Sequence, residues 1–439
     1  MLDIKYIREN AEQIKEAAKN KNITIDIDKL LKTDDERRAL QTKIDELRAE
    51  RNELAKTNKK GKPTEEQVNK GRDIKENIAQ KEEELEKIND EYTGLMVKVP
   101  TIPSPDTPIG KSEHENIEHF KWGEPTKFDF EPKDHIQIAK NLDLFDTERG
   151  AKVAGYRGYY VKNEGVSLQM ALMMFALEKL ISRGFMPMIP PTLVREFALF
   201  GSGYFAGKNF NENIDEIYKI ENFGVDAEGK QNKENKFLIG TAEPSLLAYY
   251  ANEVLDEGQL PVKMCGFSQC YRSEIGSYGK DTKGLYRVHE FMKVEQVCIS
   301  KADIEESDKL HNEMVEISKE LHKDLGLPFR VLQICTGDMS AGKYKMFDLE
   351  AWMPSRNGYG ETGSASNFLD WQARRLNVRY NSKNGDKKYV YMLNNTALPS
   401  VRPMIAILEN FQQADGSVVI PEVLRKYMPG NLGVIKAKK

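Results

Sequence analysis

The stretch CYRSEIGSYGKDTKGLYRVHEFMKVEQ, Cys270 to Gln296, decides how this chain is read. Its two ends suit paired strands, and Gly276, Gly279 and Gly284 mark a turn-rich loop between them. Residues two apart on a strand face the same side. Arg272 is therefore expected beside Glu274, and Arg287, His289, Phe291, Lys293 and Glu295 on one face of the second run. Such a face is costly unless it meets solvent or a polar ligand. A guanidinium fork suits paired phosphate oxygens, and a carboxylate such as Glu274 accepts from an amine. The layout points to a nucleotide site on an antiparallel hairpin, with a solvated edge hairpin as the plain alternative. No G-x-G-x-x-G follows an early strand and no G-x-x-x-x-G-K-[ST] occurs, so Rossmann and P-loop cradles lack their glycines.

A chain of 439 residues has room for two or three domains with one sizeable core. It is 31% charged, and its mean hydropathy is -0.61. No apolar run approaches the roughly 18 residues of a membrane span, and MLDIKYIREN lacks a signal peptide's apolar stretch. A cytoplasmic protein with no membrane partner is expected. Cys265, Cys270, Cys298 and Cys335 form no CxxC unit, so disulfides are not expected. Cys265, Cys270 and His289 make only a weak zinc pattern, and no structural zinc is expected.

Net charge is only -4, so any polyanion site must come from local clustering. Arg48, Arg51, Lys56, Lys59, Lys60 and Lys62 stand against Glu50 and Glu53, a local balance of +4. Around this patch Leu40, Ile44, Leu47, Arg51 and Leu54 step by four and three. Ile74, Ile78, Lys81, Leu85, Ile88, Tyr92 and Leu95 do so after a break. The linker NKKGKPTEEQVNKG, 58–71, holds Gly61, Pro63 and Gly71, and Thr64 with Gln67 offers a cap for a restart. An antiparallel helical hairpin over about 34–98 follows, ended by the proline-rich VPTIPSPDTPIG, 99–110. By itself such a hairpin is equally a dimerisation or spacer device.

The remainder reads as an α+β body. MALMMFALEKLISRGF, 170–185, is an apolar helix, taken as core. DIEESDKLHNEMVEISKELHKDLG, 303–326, is amphipathic, with His311 and His322 expected on its polar face. NSKNGDKK, 381–388, is a hairpin turn.

The opening stretch resembles motif 2 of the class II aminoacyl-tRNA synthetases, and its wording is similar to that of the bacterial-type seryl-tRNA synthetases. Three further matches follow. GFMPMIPPTLVRE, 184–196, resembles motif 1, with Pro191 as its proline. TAEPS, 241–245, resembles the serine-binding segment. ETGSASNFLDWQARRLNVRY, 361–380, with LNNTALPSVRPMIAILENFQ, 393–412, resembles the motif 3 region.

The resemblance implies a catalytic domain over 111–439, built on an antiparallel sheet flanked by helices. It also implies a helical domain over 1–110 whose coiled-coil arm holds tRNA. The implied activity is formation of seryl-adenylate from L-serine and ATP with Mg2+, then transfer of serine to tRNA(Ser), and to tRNA(Sec) where the host has one. A homodimer is implied, with the arm reaching tRNA across it. Arg272, Glu361 and Arg402 would be catalytic. ATP would meet Arg272, Ser273, Glu274, Arg287, Val288, Phe291, Glu361, Thr362, Gly363, Ser364 and Arg402, with Mg2+ on Glu361 and Ser364. Serine would meet Thr241, Ala242, Glu243, Arg272, Glu295, Asn394 and Thr396. On the arm only the basic patch can be named. Gly363 and Ala365 depart from the family's bulkier residues without touching an obligatory side chain. The polar loop 209–237 reads as a local insertion. Two alternatives stand beside this reading. One is a class II-like ligase that adenylates an amino acid for a carrier protein, and the other is a non-catalytic paralogue that binds nucleic acid or acts as a scaffold.

Overall fold

The computed structural model describes residues 1–58, 64–221, 224–225, 228–231, 234–275 and 284–437. They form two compact units, Met1–Pro100 and Thr101–Lys439. Lys59, Lys60 and Lys62 of the basic patch, and Gly276 and Gly279 of the glycine-rich loop, lie outside the described residues.

The first unit holds α1 (Ile4–Glu9), α2 (Ala11–Asn20) and two 32-residue helices, α3 (Ile27–Asn58) and α4 (Glu65–Met96). Thr64 starts α4 with a reciprocal capping box to Gln67. Cross-helix pairs Lys29–Glu91, Arg48–Glu82 and Lys70–Glu50 run in opposite numerical directions, so α3 and α4 are antiparallel. Ile44, Leu47, Ile74 and Ile78 are buried along the seam. Each contributes about 1.5–3 kcal/mol through burial, whereas an exposed ion pair gives about 0–1 kcal/mol, so the apolar seam decides the pairing. Arg51 at a seam position is exposed, and Lys81 is half-buried, as long stems allow.

The second unit is organised by an eight-stranded sheet. In chain order its strands are β1 (Ile117–Trp122), β2 (Met186–Met188), β3 (Val262–Tyr271), β4 (Glu290–Ser300), β5 (Phe329–Gln333), β6 (Lys345–Met353), β7 (Gly358–Asn367) and β8 (Tyr391–Pro399). Across the sheet the order is β1, β5, β6, β7, β8, β4, β3, β2. Every pairing is antiparallel except β2 on β3. The proline-rich segment after the hairpin is extended and tied into this unit, with Thr101 N donating to Ala341 O at 2.8 Å and Ser104 N to Tyr344 O at 2.8 Å.

One face of the sheet carries the helix α7 (Ile304–Asp324), reached after α5 (Glu164–Ser182) and the short α6 (Glu243–Ala248). His311 and His322, expected on its polar face, are fully buried. The reason is the width of the contact: Ser307, His311, Ser318 and His322 pack inward with the leucines, so a stripe drawn from apolar residues alone is too narrow. Gln296 Nε2 and Asn395 Nδ2 both donate to Ser318 Oγ, at 3.1 and 2.9 Å, stitching the helix to β4 and β8.

By length and composition α5 would pass for a membrane span, but half of it is buried inside the protein. Its outer side leaves Val166, Met170, Met174 and Ile181 exposed at helical spacing, with exposed Glu178 between the last two. All four cysteines are buried free thiols.

Candidate active site

Strand pairing ends at Tyr271 opposite Glu290, one rung before the residues expected to continue it. Arg272 N still donates to His289 O at 2.9 Å, and then the chain turns away, with Glu274 in the left-handed region at φ 54°. Arg272 and Glu274 therefore do not share a strand face, and Arg287 and His289 precede β4 rather than lie in it. Phe291, Lys293 and Glu295 do alternate on one face of β4. The turn still delivers Arg272, Glu274, Arg287, Val288, Phe291, Glu361, Thr362, Gly363 and Arg402 to one cleft of about 480 Å³, part of it open to solvent.

Within the cleft Glu274 is buried and paired with Arg287 Nη1 at 2.6 Å. The Arg272 guanidinium lies 5.5 Å from the Phe291 ring centre, and its Nε donates to Gly240 O at 3.3 Å. Arg402 donates from Nη1 to Glu361 O at 2.9 Å and Oε2 at 3.2 Å, and from Nε to Tyr286 O at 3.2 Å. Its guanidinium also lies over the Tyr286 ring, 4.5 Å from the centre. Burial works against the charge of Glu361, but Arg402 and Arg272 outweigh it and hold the carboxyl below its usual range. Val288 is packed in the core, and among the described residues Ser273 Oγ has no hydrogen-bond partner.

Glu361 and Ser364 are three apart and would face opposite sides of a regular strand. A β-bulge restores them to one side: Leu349 pairs with Gly363, while the next residue, Glu350, pairs with Glu361. Thr362 takes up the extra position, its side chain turned to the other face and bonded to His322. On the cleft side Asp348 stands opposite Ser364 and is hydrogen-bonded to it. Burial, and then the charge of Glu361, push the Asp348 carboxyl up to about 8. Its Oδ1 has no hydrogen-bond partner among the described residues. Two carboxyls and a hydroxyl with an unsatisfied oxygen fit a hard divalent cation, which would relieve the repulsion that raises Asp348.

Deeper in, a second polar group is built around two carboxylates. Glu295 faces Gly266 in β3 and Thr396 in β8. It accepts from Thr241 Oγ1 at 3.0 Å and Thr396 Oγ1 at 3.3 Å, and pairs with Lys293 Nζ at 2.6 Å. Gly266 is needed here, because a Cβ at that position would lie 2.8 Å from the Ala242 Cβ. Among the described residues Glu243, at the start of α6, accepts from neutral donors only: Gln372 Nε2 at 2.7 Å, Asn394 Nδ2 at 2.8 Å and the Tyr204 hydroxyl at 3.1 Å. Desolvation, and then the Glu295 charge, raise Glu243 to about 7. A ligand cation placed here would stabilise its ionised form.

Sequence reasoning missed Tyr204, Gln372, Lys293, Tyr286 and Asp348. Lys293 had a signal, since it shares the β4 face with Phe291 and Glu295. Asp348 is found only through its pairing with Ser364. In the first unit, Arg48 pairs with Glu82 at 2.7 Å and Lys56 with Glu53 at 2.6 Å, all four side chains exposed.

Two family models match the chain. The tRNA synthetase class II core domain (G, H, P, S and T) covers residues 218–411, and the seryl-tRNA synthetase N-terminal domain covers residues 1–103. The chain is 43% identical over 436 residues to the serine–tRNA ligase of Borreliella afzelii, covering 97% of this chain and 98% of that one. Among solved structures, it is similar to the seryl-tRNA synthetase of Pyrococcus horikoshii complexed with ATP, at 38% identity and a TM-score of 0.86 with both chains fully covered. It is also similar to the cytoplasmic serine–tRNA ligase of Naegleria fowleri in complex with AMP, at 31% identity and a TM-score of 0.83, covering 100% of this chain and 99% of that one.

The raised carboxyl of Glu243 has a stability consequence. Its folded value near 7 exceeds the unfolded value of about 4.3, so its contribution is fully present below about pH 4 and lost as pH rises through 7. Glu243→Gln keeps the three contacts, with the new amide donating to the Tyr204 hydroxyl, and has no proton to lose. Between about pH 5 and pH 8 the parent should lose on the order of 3 kcal/mol relative to the variant. Urea unfolding at both pH values measures this, and parallel pH dependence would refute the assignment.

Proposed function

The chain belongs to the seryl-tRNA synthetases, and on that premise we propose how its residues divide the work. The protein activates serine with ATP and transfers it to tRNA(Ser). In activation the serine carboxylate attacks the α-phosphorus of ATP and pyrophosphate leaves. In transfer a ribose hydroxyl of the terminal adenosine takes the seryl group and AMP leaves.

The observation that carries the division is Glu243, a buried carboxylate with only neutral partners among the described residues, beside the Glu295–Lys293 pair and Thr396. Glu243, Glu295 and Thr241 suit the substrate ammonium, and Thr396 and Asn394 suit its hydroxyl. Alanine would leave those polar groups unpaired, while threonine is opposed only by lack of room for a methyl, the weaker discrimination. Ala242 contributes backbone, since its side chain packs against Gly266.

Arg272 reaches from this pocket into the cleft and takes the α-phosphate and the serine carboxylate, where charge develops. Glu274 accepts from the adenine amino group, Phe291 stacks on the base, and Arg402 covers its other side and reaches the terminal phosphate. Arg287 holds Glu274 in place, and Val288, Thr362 and Gly363 line the cleft, whereas Ser273 lies outside its lining. Glu361 and Ser364, joined by Asp348, hold Mg2+, which when bound neutralises phosphate charge.

We assign tRNA holding to the first unit, Met1–Pro100, and the chemistry to the second, Thr101–Lys439, ten residues earlier than the boundary expected from the sequence. The exposed apolar side chains of α5 support a homodimer, the common closed assembly of soluble enzymes. The arm's basic patch then contacts the backbone of tRNA across that dimer. Arg48 and Lys56 can exchange exposed acidic partners for phosphate at small cost. A cytoplasmic location, like that of the Naegleria fowleri enzyme, belongs to the same proposal.

ATP–pyrophosphate exchange should require L-serine and Mg2+, and Arg272→Ala should lower it by at least about two orders of magnitude. Exchange driven better by threonine or alanine, or near-normal exchange by a folded variant, would overturn the assignment. Placing Asp at both Met170 and Met174 should convert the dimer to monomer in sedimentation, while an unchanged dimer would move the interface elsewhere. Removing residues 34–98 and joining the ends should leave serine activation and sharply reduce tRNA charging. Neutralising Lys56, Lys59, Lys60 and Lys62 together should weaken tRNA binding and flatten its salt dependence. Normal charging without the hairpin would return it to a spacer or assembly role.

A further inference from the structure

The bulge that turns Glu361 toward the cleft is held from the opposite face of the sheet. A bulge interrupts the ladder and leaves partner groups to be satisfied in other ways. Here the Thr362 hydroxyl donates to the Leu349 carbonyl at 3.2 Å and lies 2.7 Å from His322 Nε2. His322 Nδ1 is 2.7 Å from the Ser318 carbonyl, which only accepts, so Nδ1 carries the proton and Nε2 accepts from Thr362. Complete burial keeps the ring neutral, lowering it to about 4, and it packs 5.3 Å from the Phe329 ring. The hydroxyl is thus shared between two acceptors, with the imidazole at the shorter distance. Ser318, which anchors the histidine through its carbonyl, also donates from Oγ to the Thr396 carbonyl at 3.3 Å.

A regular strand would place Glu361 and Ser364 on opposite faces, so their convergence requires the bulge, and the polar groups that satisfy the bulge belong to Thr362 and His322. We infer that Thr362 and His322 are a positioning pair for the divalent cation. By pinning the bulge from the helix side, they keep Glu361 and Ser364 aimed together and keep the Glu361 carbonyl in reach of Arg402. Neither side chain touches ATP. This rests on the reading that Glu361 and Ser364 hold Mg2+, and it extends that reading to a residue on the far face of the sheet. The serine pocket is built from Thr241, from Glu243 on α6 and from residues of β4 and β8, none of them in the bulge.

The test uses full-length protein with Thr362→Val, which keeps the shape and removes the hydroxyl, and Thr362→Ser, which keeps it. Glu361→Gln serves as calibrator. Binding of Mn2+ in the presence of ATP, read by electron paramagnetic resonance, is measured beside the Mg2+ midpoint and serine KM of exchange. The valine variant should weaken Mn2+ binding and raise the Mg2+ midpoint by about tenfold, the scale of outer-shell support at metal sites. Its serine KM should stay at the parent value, and the serine variant should regain the Mn2+ binding that the valine variant loses. If the valine protein does not fold, His322→Asn carries the same expectation. Unchanged Mn2+ binding in the valine variant, or an equal loss in Mg2+ and serine dependence, overturns the inference while the cation reading stands. Mn2+ binding untouched by Glu361→Gln overturns the cation reading, and the inference with it.

Discussion

The site depends first on a buried ion pair. Lys293 and Glu295 lie two apart on one face of β4, both almost fully buried, with their charged ends 2.6 Å apart. Removing either partner would leave a lone charge in the interior at a cost of about 3–5 kcal/mol, so the two are fixed together. Their pairing leaves Glu243 without a cation among the described residues, surrounded by donors that can satisfy it in either protonation state. The pocket therefore stays tolerable while empty, and a ligand ammonium improves it. A direct Arg272–Glu243 pair would have filled that vacancy. Instead Arg272 turns toward Phe291 and the cleft, where it also helps to keep Glu361 ionised.

Sheet irregularity does the aiming. Glu361 and Ser364 converge because β7 carries an extra residue against β6. A second irregularity shifts β8 against β4 between Val294 and Glu295, and it sets Thr396 opposite Glu295. Both of these departures from ladder register sit beside a functional side chain, whereas a third, between Glu118 and Phe120 of β1, lies at the far edge of the sheet. At the first, the displaced residue is tied to a helix on the far face.

Much of this was legible in the sequence. The motifs placed Arg272, Glu274, Phe291, Glu361 and Arg402, and the structure brings these five into one cleft. Period-2 reasoning found the β4 face, but it failed at Arg272 and Glu274 because no sequence signal marked where pairing stops. The buried His311 and His322 were misplaced for a different reason. Apolar periodicity locates a helix face, but it does not see polar residues that are buried against the sheet. Tyr204 and Gln372 come from separate segments and meet only at Glu243. Asp348 acquires its meaning from Ser364 across the ladder. The hairpin was readable from heptads and its Thr64 cap, whereas three lysines of its patch lie outside the described residues.

The two units use charge in opposite ways, and the difference follows from solvent. Lys293 and Glu295 cannot exchange partners cheaply, which suits a pocket that must hold one geometry. Arg48 and Glu82 are exposed, and their pairing is worth about 0–1 kcal/mol, so a phosphate can replace the carboxylate with little penalty. The hairpin needs only a narrow apolar seam, Ile44, Leu47, Ile74 and Ile78, to keep its helices together. Everything outside that seam is free to be polar. A surface built from such replaceable pairs binds a polyanion through the sum of many weak contacts, and salt screens that sum. The buried pair in the catalytic unit is shielded from salt, so ionic strength should separate tRNA holding from serine activation within one chain.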